Sequence, residues 1–259
     1  MKMAPLFVLA VLPLGVCSNA FAQSTTASTA DAATVSTTPA PVWQVAFNVG
    51  AQSDYVFRGI SQTNGHTSGF AGADVTYQSQ WYVGAWTSNV DFSPSGDTRT
   101  TQEYDLYGGW RPTVAGVNLD LGYIYYGYKN QPRDTRESYA EVYLRGTHAF
   151  GRWTLGGGLA YSPNFPGMAK HALYGEANIA FAISSAWNAS ANLGRQTESD
   201  AVLSARGTLE DFNYNTWNAG ITYSINDHTA LDLRYWDTNK HASGDIYQSR
   251  VVASIKATF

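Results

Sequence analysis

Tyr139-Ala140-Glu141-Val142-Tyr143-Leu144-Arg145 is the stretch on which the fold turns. Successive side chains of a strand point to opposite faces, so Tyr139, Glu141, Tyr143 and Arg145 share one side. Ala140, Val142 and Leu144 share the other. Both charges therefore lie on one face and nothing but aliphatic carbon on its back. The pattern recurs at 103–110, where Glu103, Asp105 and Tyr107 oppose Tyr104, Leu106 and Trp110. At 188–196 Asn188, Ser190, Asn192, Gly194 and Gln196 oppose Ala189, Ala191 and Leu193, and at 230–235 Asp232 and Arg234 oppose Leu231, Leu233 and Tyr235. In each case the apolar set suits lipid and the polar set a wet lumen. A Lys or Arg turned to lipid at the bilayer midplane costs about 2–4 kcal/mol, which fixes the register.

Working outward, the same texture predicts twelve strands, at 43–53, 68–77, 81–90, 101–111, 117–127, 137–149, 152–161, 171–182, 187–196, 212–224, 229–237 and 245–259. The gaps between them alternate. Those after even-numbered strands are tiny: 78–80, 112–116, 150–152, 183–186 and 225–228. Those after odd-numbered strands are longer: 54–67, 91–100, 128–136, 162–170, 197–211 and 238–244. An up-and-down membrane barrel needs short turns at one end and long loops at the other. A soluble sandwich has no reason to sort its connections so. The expected fold is all-β, a closed antiparallel up-and-down transmembrane barrel over 42–259, of about twelve strands, with ten or fourteen as alternatives.

Composition agrees. Of 259 residues 14% are charged, against about 25% in soluble domains. Aromatics reach 14%, with 17 Tyr and 24 Gly, and mean hydropathy is slightly polar at −0.25. Residues 1–22 read as a cleaved secretory signal, with Lys2 before the apolar run 6–16 and Ala20-Phe21-Ala22 before the cut. Residues 23–41, rich in Ser, Thr, Ala and Pro, read as a flexible tail. Loss of the signal removes Lys2 and Cys17, the chain's one cysteine. The remainder has no thiol for disulfides or metal, and a mildly acidic charge with no pull toward nucleic acid. Export to the outer membrane of a Gram-negative cell follows, with lipid bilayer and lipopolysaccharide as surroundings.

In hydrocarbon every backbone N–H and C=O must pair within the protein, so the last strand is expected to bond to the first. The segment 251–259 alternates apolar with polar and ends on Phe259. That ending resembles the C-terminal signal recognised by the barrel-assembly machinery. Trp43, Trp81, Trp110, Trp153, Trp187 and Trp236 fall near strand ends, as an interfacial aromatic girdle requires.

Three stretches carry a family resemblance. They are Ser53-Asp-Tyr-Val-Phe-Arg-Gly-Ile-Ser-Gln-Thr63, Trp86-Thr-Ser-Asn-Val-Asp-Phe92 and Glu103-Tyr-Asp-Leu-Tyr107. Together they resemble the TorF-like porin family of proteobacteria, over about residues 47–259. The resemblance implies an outer-membrane barrel and a porin role. It supplies no substrate and no catalytic residue.

The expected function is passive diffusion of small hydrophilic solutes through a narrow lumen, without enzymatic chemistry, by a monomer. Pore-lining candidates are Arg58, Asp105, Glu141, Arg145, Glu176, Asp232 and Arg234. If the first strand runs on past Gln52, Asn48, Gln52, Asp54 and Arg58 share the lumen face. Arg58 opposite acids such as Asp105 and Glu141 would then filter solutes by charge. Equally open is a structural clamp of the first loop by Arg58 and Asp54. A non-conducting structural or adhesion barrel is a second reading. A lipid hydrolase using His66 and Ser68 is a third, since a serine nucleophile needs a nearby base. No cofactor or metal signature appears: the histidines are scattered, and Gly156-Gly157-Gly158 lacks the Lys-Ser/Thr ending of a phosphate loop.

Overall fold

The computed structural model describes residues 42–133, 135–203 and 208–259. The expected signal at 1–22 and the expected tail at 23–41 lie outside the described residues. From the short-turn rim rises β1 (Trp43–Gln52), followed by two short strands paired with each other, β2 (Val56–Phe57) and β3 (Ile60–Ser61). Next come β4 (Ser68–Tyr77), β5 (Trp81–Asn89), β6 (Gln102–Trp110) and the two-residue β7 (Thr113–Val114). The wall continues through β8 (Val117–Lys129), β9 (Tyr139–Phe150), β10 (Trp153–Ser162) and β11 (Ala172–Ala182). It is completed by β12 (Trp187–Leu203), β13 (Leu209–Ser224), β14 (Thr229–Thr238) and β15 (Arg250–Thr258).

Twelve of these strands form a closed antiparallel barrel, and β7 is an extra strand beside β8. Neighbours in sequence are neighbours in the wall, and β6 pairs directly with β8. The seam joins β1 to β15 from Asn48 opposite Thr258 to Gln52 opposite Ser254. Phe259 continues it: its N–H donates to the Phe47 carbonyl (2.9 Å) and its carbonyl accepts from Phe47 N–H (3.0 Å). Among the described residues the seam closes the wall and leaves no edge of it open to lipid, as hydrocarbon demands.

Burial is inverted relative to a soluble protein. Val45, Phe47, Val49, Leu106, Val142, Leu144, Leu193, Leu233 and Val251 are exposed, whereas Asn48, Asp74, Glu103, Glu141, Asn218 and Arg234 are buried. A continuous apolar exterior of this kind marks a membrane surface. At the short-turn rim aromatics pair across strands: Trp43 with Tyr77 (4.6 Å), Trp81 stacked on Trp110 (5.7 Å), Trp153 with Phe181 (4.5 Å) and Trp187 with Tyr223 (4.6 Å). Trp236 does not belong to this girdle. It is buried in the lumen with Val56 and Val252, because its even position on β14 faces inward.

Three other expectations need correction. β12 and β13 extend beyond the predicted 196 and 212, with a register break between Glu198 and Val202. Residues 245–247 form a 3-10 turn, so the last strand begins at Arg250 instead of 245. Most consequential, β1 stops at Gln52 and does not carry Asp54 and Arg58 up the wall.

Candidate functional site

The segment 53–67 folds back into the bore. Tyr55, Val56, Phe57 and Ile60 are too apolar for a loop in water, and inside the barrel they find partners. The β2–β3 turn is Phe57-Arg58-Gly59-Ile60, with φ of 49° at Arg58 and 84° at Gly59. Two positive φ values are what a tight two-residue hairpin of type I′ requires. Glycine adopts that conformation freely; arginine does so at a cost that surrounding contacts must offset.

Those contacts are numerous. Arg58 is 3% exposed. Its guanidinium donates to Glu141 on β9 in a two-pronged pair, Nη1 to Oε1 at 2.8 Å and Nη2 to Oε2 at 2.7 Å. Nη1 also reaches Gln196 Oε1 on β12 (3.1 Å), and the ring of Tyr174 on β11 lies 4.3 Å from Cζ. Tyr126 on β8 donates its hydroxyl to Glu141 (3.2 Å) and meets the Phe57 ring edge-on. Gly59 lies against Thr216 on β13 and Thr238 on β14, where a Cβ would overlap both side chains.

The hairpin is equally fixed at its root. Asp54 accepts hydrogen bonds from Ser61 Oγ (2.6 Å) and Thr63 Oγ1 (2.9 Å), and its other oxygen pairs with Arg250 Nη1 on β15 (2.6 Å). Tyr55 donates to Glu103 on β6 (2.7 Å) and packs against Trp86 on β5. One hairpin thus touches the barrel on every side. Beneath Val56 the space between β1, β14 and β15 is only about 10 Å³.

The remaining candidates also face the lumen. Arg234 donates to Asn218 (2.8 Å), Ser190 (3.0 Å) and both oxygens of Asp232. Glu176 accepts from Asn192 (2.9 Å). Arg145 and Glu176 occupy the row on either side of Gly158, with the Arg145 guanidinium over Tyr143 (4.6 Å). Asp105 is fully buried between Trp86 and Tyr126, and neither of its oxygens has a hydrogen-bond partner among the described residues. Asp74, Glu103, Asp105, Asp120 and Glu141 gather on the β4–β9 side. Arg234, Arg250 and Lys256 gather on the β14–β15 side, with Arg58, Arg111 and Arg145 on the acidic side and Asp54 and Asp232 on the basic side as exceptions to the sorting.

The His66–Ser68 pair is not brought together as a nucleophile and its base. Ser68 is fully buried, with its Oγ 2.6 Å from Ser88 Oγ. His66 is exposed, with Nδ1 3.6 Å from Asp91. Among the described residues no group of three or more His, Cys, Asp or Glu could hold a metal ion. Sequence reading missed Asp54–Arg250, Tyr55–Glu103 and the Tyr174 ring, since each joins residues far apart in the chain. The apolar content of 55–60 was the available signal.

A twelve-stranded barrel with a polar interior and an inward-folded segment defines a porin-like protein. Solved structures that share its fold include porins. The KdgM porin superposes with a TM-score of 0.54 at 9% identity, covering 83% of this chain and 98% of that one. The NanC porin gives 0.52 at 9% identity, covering 83% and 99%. A further structure is of KdgM in complex with disordered oligogalacturonate, with a TM-score of 0.52 at 9% identity. No curated protein matches the chain. A family model described as a bacterial protein of unknown function, Gcw_chp, matches residues 36–259, and the chain belongs to that family.

Proposed function

We propose that the chain is an outer-membrane channel for passive diffusion of small hydrophilic solutes, with no enzymatic step, and that the 53–67 hairpin sets its bore. The observation that carries this reading is the Arg58–Glu141 pair, which pins a chain segment across a polar lumen. Acids on one wall and bases on the other would impose a transverse field on whatever passes, selecting by charge and dipole at a dehydrating constriction. Arg58, Asp105, Glu141, Arg145, Glu176, Asp232 and Arg234 are assigned to that lining. The 53–63 motif together with the barrel supports placing the chain among the TorF-like porins. Oligogalacturonate binding is not carried over from KdgM, because the lining here mixes both signs.

One observation favours a second reading, a barrel that does not conduct. The hairpin and the wall around it leave Tyr55, Arg58, Glu103 and Asp105 almost without accessible surface. Planar-bilayer recording separates the two. A channel gives discrete current steps, and Arg58→Ala enlarges them and moves the reversal potential. Silence in both the native protein and Arg58→Ala rejects the channel.

A further inference from the structure

The outside of the wall holds a feature that the lumen does not explain. On the lipid face of β10 to β14, Arg195 is the one basic side chain among the described residues, and it is exposed. It stands eight residues above Trp187 in the short-turn girdle. At about 3.3 Å per residue and a tilt of about 40°, that is roughly 20 Å, near the loop-side edge of an apolar band about 25 Å tall. Arg195 Nη1 donates to Asn215 Oδ1 on β13 (3.0 Å). Asn239, beyond β14, accepts from Asn215 N–H through its own Oδ1 (2.8 Å), so neither amide uses its Nδ2 in these bonds. Asp237, an acid on this face, is already engaged by His241, Thr238 N–H and the Tyr235 hydroxyl.

An independent feature adjoins it. Arg195 pairs with Gly175, Gly175 with Leu159, and below them Gly157 pairs with Gly146. Two missing side chains, at Gly146 and Gly157, leave an open notch of about 420 Å³ against Leu119, Leu144 and Leu159, bordered also by Arg145, Gly158 and Glu176. A cation with amide donors near the loop-side interface, above an apolar notch reaching toward the bilayer centre, has the polarity of a lipid of that leaflet. We propose that β8–β13 bind one phosphate-bearing glycolipid of the outer leaflet, its phosphate on Arg195, Asn215 and Asn239 and an acyl chain in the Gly146–Gly157 notch. Charge-assisted hydrogen bonds from a guanidinium suit a phosphate, and the notch supplies what an isolated arginine lacks. This site is independent of conduction.

The test uses the full chain, delipidated in detergent, with lipopolysaccharide as the probe and native mass spectrometry and thermal unfolding as readouts. One lipid should bind per barrel and raise the unfolding temperature. Arg195→Gln should weaken binding about tenfold or more, with Arg195→Lys in between. Gly146→Val fills the notch where a Cβ has room, 3.4 Å from Leu119, and should weaken binding with Arg195 intact. Affinity unchanged in both variants overturns the proposal. So does equal stabilisation by inorganic phosphate, or a dimer that Arg195→Gln dissociates, which would make this face a contact between copies.

Discussion

The Arg58 guanidinium, carried on a hairpin rooted at β1, forms two parallel hydrogen bonds of 2.7 and 2.8 Å to the Glu141 carboxylate on β9. Both partners are buried, so the attraction acts where solvent screening is weak, and the same burial makes either charge expensive alone. Arg58→Ala leaves Glu141 uncompensated and should cost about 3–5 kcal/mol of unfolding free energy. Joint replacement by Arg58→Met and Glu141→Met should recover most of it. Urea unfolding in detergent or vesicles measures the cycle. Single variants that each cost under about 1 kcal/mol would show that the pair does not hold the hairpin.

Gly59 tests the hairpin without touching a charge. Its φ of 84° and the closeness of Thr216 and Thr238 leave no place for a methyl group. Gly59→Ala should move the tip off β13 and β14 while the wall persists. The expected result is unchanged strand content by circular dichroism and greater cleavage of 53–67 by added protease. Resistance equal to that of the native protein would mean that the tip is not confined.

The wall was readable from sequence because each strand meets lipid on one side and a wet lumen on the other, so hydropathy alternates along it. Where that contrast ends, the reading failed. Thr197-Glu198-Ser199-Asp200 and the residues preceding Phe212 lie toward the long-loop end, where alternation no longer reports strand, and β12 and β13 run on regardless. The hairpin escaped for another reason. Its direction is set by Arg58 at a positive φ and by partners 83 and 138 residues away, which no local pattern encodes. Phe57-Arg58-Gly59-Ile60 does have the form of a tight turn between apolar residues, and that much was legible.

Among the long loops, Glu137 and Asp97 make a pH-dependent pair with opposite signs. Burial raises the Glu137 carboxyl above its usual range, helped by its hydrogen bond with Asp97 and the Asp97 charge and opposed by the bond from Thr100. Asp97 is held low: hydrogen bonds from the Thr100 side chain, the Arg99 amide, the Glu137 carboxyl and the Thr100 amide outweigh its own desolvation. An acid with a raised folded pKa favours the folded loops at low pH, and that contribution is lost as pH rises through the folded value. Asp97 contributes above its unfolded value, about 3.9, and its contribution is lost as pH falls through the depressed one. Glu137→Gln keeps an acceptor for the Thr100 hydroxyl (2.7 Å to Glu137 in the native protein) and removes the charge. It should slow amide exchange across 90–101 at pH 7 and have no effect near pH 4. An equal effect at both values would sink the assignment.

Asp105 has two buried oxygens and no hydrogen-bond partner among the described residues, with Glu103 two positions away on the same face. A carboxylate so placed is a liability to the fold, since desolvation is not offset. Asp105→Asn should leave stability unchanged or raise it by about 1–3 kcal/mol. A loss above about 1 kcal/mol in urea unfolding would reveal a partner for the charge.

The seam is the narrowest junction in the wall. β1 and β15 share five paired positions, from Asn48–Thr258 to Gln52–Ser254, whereas β1 and β4 share ten. Phe259 adds two backbone hydrogen bonds to Phe47, and its ring stacks 6.2 Å from His228. Backbone groups left unpaired in hydrocarbon cost several kcal/mol each, so a main-chain contribution of this kind weighs heavily in so short a junction. Deleting Phe259 removes it, whereas Phe259→Ala keeps the main chain and removes only the ring. Refolding into vesicles, followed by the mobility of unheated protein on a detergent gel, should therefore fail for the deletion and succeed for Phe259→Ala. In cells both should assemble poorly if the assembly machinery reads the terminal aromatic. Efficient refolding of the deletion would show that the seam closes without its last residue.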